Sequence, residues 1–311
     1  MDVLLLLLGL ATLVASGEVL VRGAAGIALK ARISPLIVGL TVVSIGTSAP
    51  ELFASVRAAL EGSSNIAVGN VVGSNIANLS LVLGITALIY PINVDRLLIR
   101  LDGPVMAGAS ALFIILAWDG VIERWEGIIL ITALVIFLLT LIRRARQEPS
   151  THDEVDDMQS FGTKGYAFLS ALVVAGCVGL YFGSGWFVDG ASNIAKSLGI
   201  SDYIIGVTVV AIGTSVPELV ASVIAALRHQ SDLSIGNLVG SNIFNILGVL
   251  GVTGIIIPLP VDSLVISSDM WWMLGIALLI FPLIKMGYRV VRWEGALLLG
   301  VYIAYLFSVL L

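Results

Sequence analysis

Residues 33–86 and 200–253 are near copies of one another, agreeing at 33 of 54 positions at a constant offset of 167 without a gap. The shared centre reads Gly46-Thr47-Ser48-Ala49-Pro50-Glu51 in one copy and Gly213-Thr214-Ser215-Val216-Pro217-Glu218 in the other. A duplication of this size restricts the fold to one made of two similar halves. Outlying matches set the extent of each half: Arg124-Trp125-Glu126-Gly127 recurs as Arg292-Trp293-Glu294-Gly295, and Pro91 recurs as Pro258.

The solvent of this fold follows from composition. The chain is 58% hydrophobic and 12% charged, where soluble domains carry about 25% charged residues. Apolar runs of spanning length fall roughly at 3–29, 35–60, 66–90, 104–118, 126–142, 166–194, 203–227, 233–257, 270–284 and 294–311. Each suits a transmembrane helix of ~17–25 residues, some tilted or broken. The predicted fold is therefore an all-α integral membrane protein of ten transmembrane helices in two five-helix repeats, residues 1–142 and 166–311, joined by a linker at 143–165. An odd number of crossings puts the start of the second repeat on the opposite side. The repeats must then be inverted, related by a pseudo-two-fold axis in the membrane plane.

The linker is basic at Arg143, Arg144 and Arg146 and then acidic at Asp153, Glu154, Asp156 and Asp157. It lacks the ligand spacing of an EF-hand and reads as a solvated connector. With the N-terminus outside, twelve Lys and Arg residues, among them Lys30, Arg32, Arg96, Arg100, Arg228 and Lys285, fall on the inner side against three outside, Arg57, Arg124 and Lys196. This bias predicts a multi-pass protein of the cell membrane with both termini outside the cytoplasm. Met1-Asp2 offers no basic n-region, so the first run reads as a span rather than a cleaved signal. Cys177 is alone in an apolar stretch and reads as packing.

A carboxylate inside a span is costly, so a duplicated pair, Glu51 and Glu218, points to an ion site. Pro50 and Pro217 each precede the glutamate and remove the amide that would bond the carbonyl four residues back, at Gly46 and Gly213. The expected result is a broken helix in each repeat, with carbonyls around Ser44, Thr47, Ala211 and Thr214 turned toward a cation. Irregular backbone at this depth must line a cavity or be sealed in protein. The following spans each add a polar stripe: Asn70, Ser74 and Asn78 are spaced by four, as are Asn237, Ser241 and Asn245. Of these, Ser74, Asn78, Ser241 and Asn245 are read as site residues. Asn70, Asn75, Asn237 and Asn242 are read as hydrogen-bonding glue between helices.

This ligand set is all oxygen. The histidines, His152 and His229, lie away from both motifs, so the site suits hard cations rather than zinc or copper. Two carboxylates in bidentate contact plus the Thr47 and Thr214 carbonyls would supply about six oxygens, within the Ca²⁺ range. The same two charges suit two or more Na⁺. If both ions use Glu51 and Glu218, occupancy by one excludes the other, and a site open to one side at a time becomes an exchanger.

The paired Gly-Thr-Ser-x-Pro-Glu motifs, each followed by Gly-Ser-Asn-Ile-x-Asn at 73–78 and 240–245, resemble the alpha-1 and alpha-2 repeats of the sodium/calcium exchanger family, closest to its compact prokaryotic members. The resemblance implies Glu51 and Glu218 as central Ca²⁺ ligands, with the carbonyls of Thr47 and Thr214. It implies Na⁺ positions completed by Ser44, Ser48 or Ser215, Ala211, Ser74 and Ser241, and a midplane polar pair of Asn78 and Asn245. The first helix of each repeat is expected to slide as the gate. Asn245 stands where some archaeal members and the potassium-dependent exchangers carry an acid, which argues against K⁺ co-transport.

The expected function is Ca²⁺/Na⁺ antiport, with Ca²⁺/H⁺ antiport as the alternative and a cation channel behind it. No zinc-protease pair, serine–histidine arrangement or redox cysteine pair occurs, so no enzyme is expected. Expected partners are Ca²⁺ and Na⁺ as cargo and the lipid bilayer, with no resident cofactor, no nucleic acid, and a monomer as the working state. Glu18 and Arg22, with Asp189 at the position matching Arg22, are read as interface charges in preference to a pair across the gate.

Overall fold

The computed structural model describes residues 2–62, 64–147, 164–199, 211–285 and 287–310. The acidic linker residues, His152 and the start of the span expected from 203 lie outside the described residues. The helices are α1 (Asp2–Ala31), α2 (Pro35–Thr47), α3 (Ala49–Leu60), α4 (Ser64–Ile89), α5 (Leu98–Asp119), α6 (Arg124–Gln147), α7 (Tyr166–Ser197), α8 (Ala211–Thr214), α9 (Val216–Leu227), α10 (Ser231–Ile256), α11 (Val265–Lys285) and α12 (Arg292–Leu310). Among the described residues, seven helices are long and apolar enough to cross a membrane, and eight if α2 and α3 form one broken span. The chain is an integral membrane protein.

Helix ends differ from the apolar runs where polar residues continue a helix. The run at 104–118 extends back to Leu98, because a π-helical turn at Leu98–Asp102 carries the chain into α5. Asp102 there is buried and takes two hydrogen bonds from Arg144, at 2.6 and 3.3 Å, so the charge is paired on entering protein.

Each repeat reaches into the other. The backbone of α4 crosses α12 at Gly84 and Gly295, where a Cβ on Gly295 would lie 2.7 Å from the Gly84 carbonyl. The symmetry-related crossing joins α10 to α6 at Gly251 and Gly127, with 2.8 Å left for a Cβ. Small residues permit this approach, and dispersion then holds helices that have no hydrophobic drive toward each other in lipid. The recurrent Arg-Trp-Glu-Gly motif is explained here. Glu126 and Glu294 accept from the Glu123 and Val291 amides at 2.7 and 2.8 Å, capping α6 and α12. Arg292 and Arg124 donate to the Leu88 and Ile256 carbonyls at the ends of α4 and α10, at 3.1 and 3.5 Å. Four two-residue strands, β1 (Ile92–Asn93), β2 (Val121–Ile122), β3 (Leu259–Pro260) and β4 (Arg289–Val290), pair β1 with β4 and β2 with β3, again between repeats.

Buried apolar residues fall into two clusters. The larger joins α4, α5, α6, α10, α11 and α12. The smaller joins α1 and α7 to α2 and α9. Along the antiparallel α1–α7 pair, Gly176 lies against Leu20, Gly183 against Leu13 and Gly190 against Leu6. The two helices therefore pack on one another through glycine contacts along their length.

Candidate ion-binding site

The break expected at each proline is present in both repeats. The helix α2 ends at Thr47, Ser48 sits at φ −87° and ψ 3°, and α3 begins with Pro50 in its first turn. The two segments meet at 42°. In the second repeat α8 ends at Thr214, Ser215 sits at φ −89° and ψ 3°, and Pro217 opens α9. Thr47 and Thr214 thus end helical segments, where carbonyls lose their regular partners. Ala211 begins α8. One expectation about a freed carbonyl is corrected. The Ser44 carbonyl accepts from the Ser48 amide at 2.9 Å. The Gly213 carbonyl, which lacks the amide that Pro217 cannot supply, is taken by the Ser184 hydroxyl of α7 at 2.8 Å.

Both glutamates open their helices and are fully buried. Ser48 of the first repeat donates to Glu218 Oε1 of the second at 3.1 Å, so the two motifs meet. The Ser48 that makes this contact lies three residues before Glu51, at the break that opens α3. The polar stripes converge on the same place. Ser74, Asn78, Ser215, Ser241 and Asn245 are all buried, and Thr47 Oγ1 lies 3.4 Å from Ser241 Oγ.

Hydrogen bonding inside this cluster is incomplete. Both oxygens of Glu51, Oε2 of Glu218, the hydroxyls of Ser74 and Ser215, and the whole amides of Asn78 and Asn245 are buried with no hydrogen-bond partner among the described residues. Buried polar groups are ordinarily paired, since an unpaired one costs about 1–3 kcal/mol. Such a concentration of oxygen in one spot fits a hard cation. Asn78 and Asn245 each start a π-helical turn, at Asn78–Val82 and Asn245–Leu250. π-turns of this kind gather at functional sites, and composition gave no sign of them.

A family model described as sodium/calcium exchanger protein matches residues 1–143 and 168–311. The chain belongs to the sodium/calcium exchanger family. It is 40% identical over 305 residues to CaxA of Alkalimonas amylolytica, covering 96% of this chain and 95% of the relative. It is 33% identical over 338 residues to the sodium/calcium exchanger MaX1 of Methanosarcina acetivorans, covering 97% of each. A solved structure of the sodium-calcium exchanger NCX_Mj soaked with 2.5 mM Na⁺ and 0.1 mM Ca²⁺ superposes with a TM-score of 0.84 at 33% identity, covering 99% of this chain and 98% of that one.

In this exchanger the remaining asparagines brace the helices around the glutamates, as expected of amides within a span. Asn70 donates to Ser55 at 3.1 Å and Asn237 to Ser222 at 3.0 Å, a pair related by the repeat. Asn237 also accepts from Thr47 Oγ1 at 3.0 Å, so it fixes the residue at the end of α2. Asn242 donates to the Asn75 carbonyl at 3.1 Å where α4 and α10 cross. Ser55 and Ser222 were not singled out from sequence, although they are identical in both copies. Asn237→Ala removes the 3.0 Å hydrogen bonds to Thr47 and Ser222 and leaves Thr47 only its longer contacts at 3.4 Å, a loss of about 1–3 kcal/mol. The expected outcome is a roughly tenfold higher Ca²⁺ concentration for half-maximal uptake. An unchanged value with lower folded yield would make Asn237 a brace alone.

Proposed function

We propose that the chain exchanges Ca²⁺ for Na⁺ by alternating access at one site shared by the two repeats. The observation that carries this reading is the burial of two glutamates, one per repeat, where Ser48 of the first motif bonds Glu218 of the second and the polar atoms around them are unpaired. Ca²⁺ is held by Glu51 and Glu218 with the Thr47 and Thr214 carbonyls. Na⁺ is held by the same carboxylates with Ser44, Ser48, Ser215, Ser74, Ser241 and the Ala211 carbonyl, while Asn78 and Asn245 form the polar pair between the halves. Neither ion is a resident cofactor; both are cargo. Reorientation is favourable only when bound cations balance the carboxylates, because bare charge does not pass hydrocarbon cheaply. That condition couples the two fluxes.

The route to the site is a cavity of about 680 Å³ lined by Pro50 and Ala54 of α3, Gly185 of α7, and Gly213 and Thr214. With the positive-inside orientation of the sequence, this mouth faces outward, and the protein works in the cell membrane with both termini outside.

The test is ⁴⁵Ca²⁺ uptake into liposomes under separately imposed Na⁺, K⁺ and proton gradients with the potential clamped. Uptake is expected to follow the Na⁺ gradient and to ignore K⁺, since Asn245 supplies no third charge. Uptake driven by protons without Na⁺ would overturn the assignment in favour of a Ca²⁺/H⁺ antiporter. Single-channel currents would overturn the carrier mechanism itself.

A further inference from the structure

Glu18, in the middle of α1, holds two arginines. Its Oε1 accepts from Arg22 Nε at 2.5 Å and from Arg228 Nη2 at 2.5 Å, and its Oε2 accepts from Arg228 Nε at 3.2 Å. Arg228 caps the end of α9, the helix that begins with Glu218. The cluster therefore ties the first gate helix to the far end of a site helix. Beside it the two helices are in tight contact: a Cβ on Gly17 would meet Val220 at 2.7 Å and Ile224 at 2.8 Å.

The repeat offset of 167 carries Glu18 to Gly185, Arg22 to Asp189, Ile224 to Arg57 and Arg228 to Glu61. These counterparts do not close on one another. Arg57, Glu61, Gly185 and Asp189 all line the open cavity between α3 and α7. Gly185 has no neighbour within 4 Å of a would-be Cβ among the described residues. Arg57 pairs with Glu61 on its own helix at 2.8 Å. Asp189 has no hydrogen bond or ion pair among the described residues. The two ends are thus equivalent in position and opposite in both state and charge. Among the described residues, Glu18 at the closed end is bonded by two bases, and Arg57 lines the open end beside two acids, Glu61 and Asp189.

We propose that these clusters are alternating latches. Glu18–Arg228 holds α1 on α9 in the conformation described here, and Asp189–Arg57 replaces it when α7 closes on α3. The inference rests on the alternating-access reading, for which it names the contacts that hold each state. Half-exposed ion pairs suit this work. Glu18 and Arg228 retain 25% and 39% side-chain exposure, so each pair biases the equilibrium by a few-fold and still releases.

Single cysteines at two positions read the two states in the full-length protein with Cys177→Ala as background. Ala54→Cys lies in the open cavity, and Val220→Cys lies under Gly17 at the closed contact. Glu18→Gln is expected to raise the rate at which a small methanethiosulfonate labels Val220→Cys by about fivefold and to lower that of Ala54→Cys. Asp189→Asn is expected to do the reverse. Exchanging the charges, Glu18→Arg with Arg228→Glu, is expected to restore the original rates. The proposal is overturned if the two neutral variants leave both rates unchanged, or shift both positions in the same direction as general loosening would. Labelling needs no ion flux. A parent protein without Na⁺-driven uptake that still shows the opposed shifts would sink the exchange reading and leave the latches standing.

Discussion

Glu218→Gln, and equally Glu51→Gln, is expected to cut Na⁺-driven Ca²⁺ uptake at least about 100-fold. Removing one member of a buried charge set leaves the rest uncompensated, at roughly 3–5 kcal/mol, and about 3 kcal/mol corresponds to two powers of ten. The amide keeps the size and one oxygen of the acid, so geometry is preserved while half the countercharge disappears. Stability should move the other way. Three of the four carboxylate oxygens are buried without hydrogen-bond partners among the described residues, so the ion-free protein gives up little when one carboxylate becomes neutral. The ion-free variant should therefore melt at or above the parent's temperature. What should vanish is the stabilisation from Ca²⁺, which for the parent at 100 times Kd is about 2.7 kcal/mol. Melting curves with and without Ca²⁺ check this beside the flux assay. Residual uptake near the parent level, or an undiminished Ca²⁺-induced shift, would remove Glu218 from the site.

The second large effect belongs to a residue with no polar atoms in its side chain. Gly236 on α10 lies against the first turn of α2: an added Cβ would come within 2.7 Å of the Leu36 carbonyl and 3.2 Å of the Gly39 Cα. Those are backbone atoms, which cannot rotate away as a side-chain tip can. Gly236→Val must push α2 off α10, at a cost of the order of 1–3 kcal/mol or more. The same shift would break the 3.0 Å hydrogen bond between Asn237, the next residue on α10, and Thr47, about two turns further along α2. We expect most of the variant to be lost from the folded fraction on size-exclusion chromatography, and the remainder to show no uptake. A monodisperse, active Gly236→Val protein would mean that the helices approach less closely than described.

The sequence disclosed those features that repeat and lie along one helix. The offset of 167 found both glutamates, both prolines and both Asn-Ser-Asn stripes, because each is a local pattern made conspicuous by its copy. Partners across the fold were not legible. Ser184 gives no local sign that it will cap the Gly213 carbonyl, and Glu18 and Arg22 read as a helix pair because Arg228 is 210 residues from Glu18. The inner end expected at residue 104 was misplaced because Asp102, a charge that hydropathy rejects, is neutralised by Arg144 from another helix. Hydropathy reads each residue as if it faced lipid alone, so any charge paired within the protein moves a boundary.

The arginine that closes the end of α4 arrives late. Arg292 bonds the Leu88 carbonyl across 204 residues, and strand β1 likewise waits for β4. During synthesis the opening portion of the chain must sit in the bilayer with an uncapped terminus until almost everything else has been made. A defect near residue 292 would therefore be felt first as a fault in the earliest-made part of the molecule.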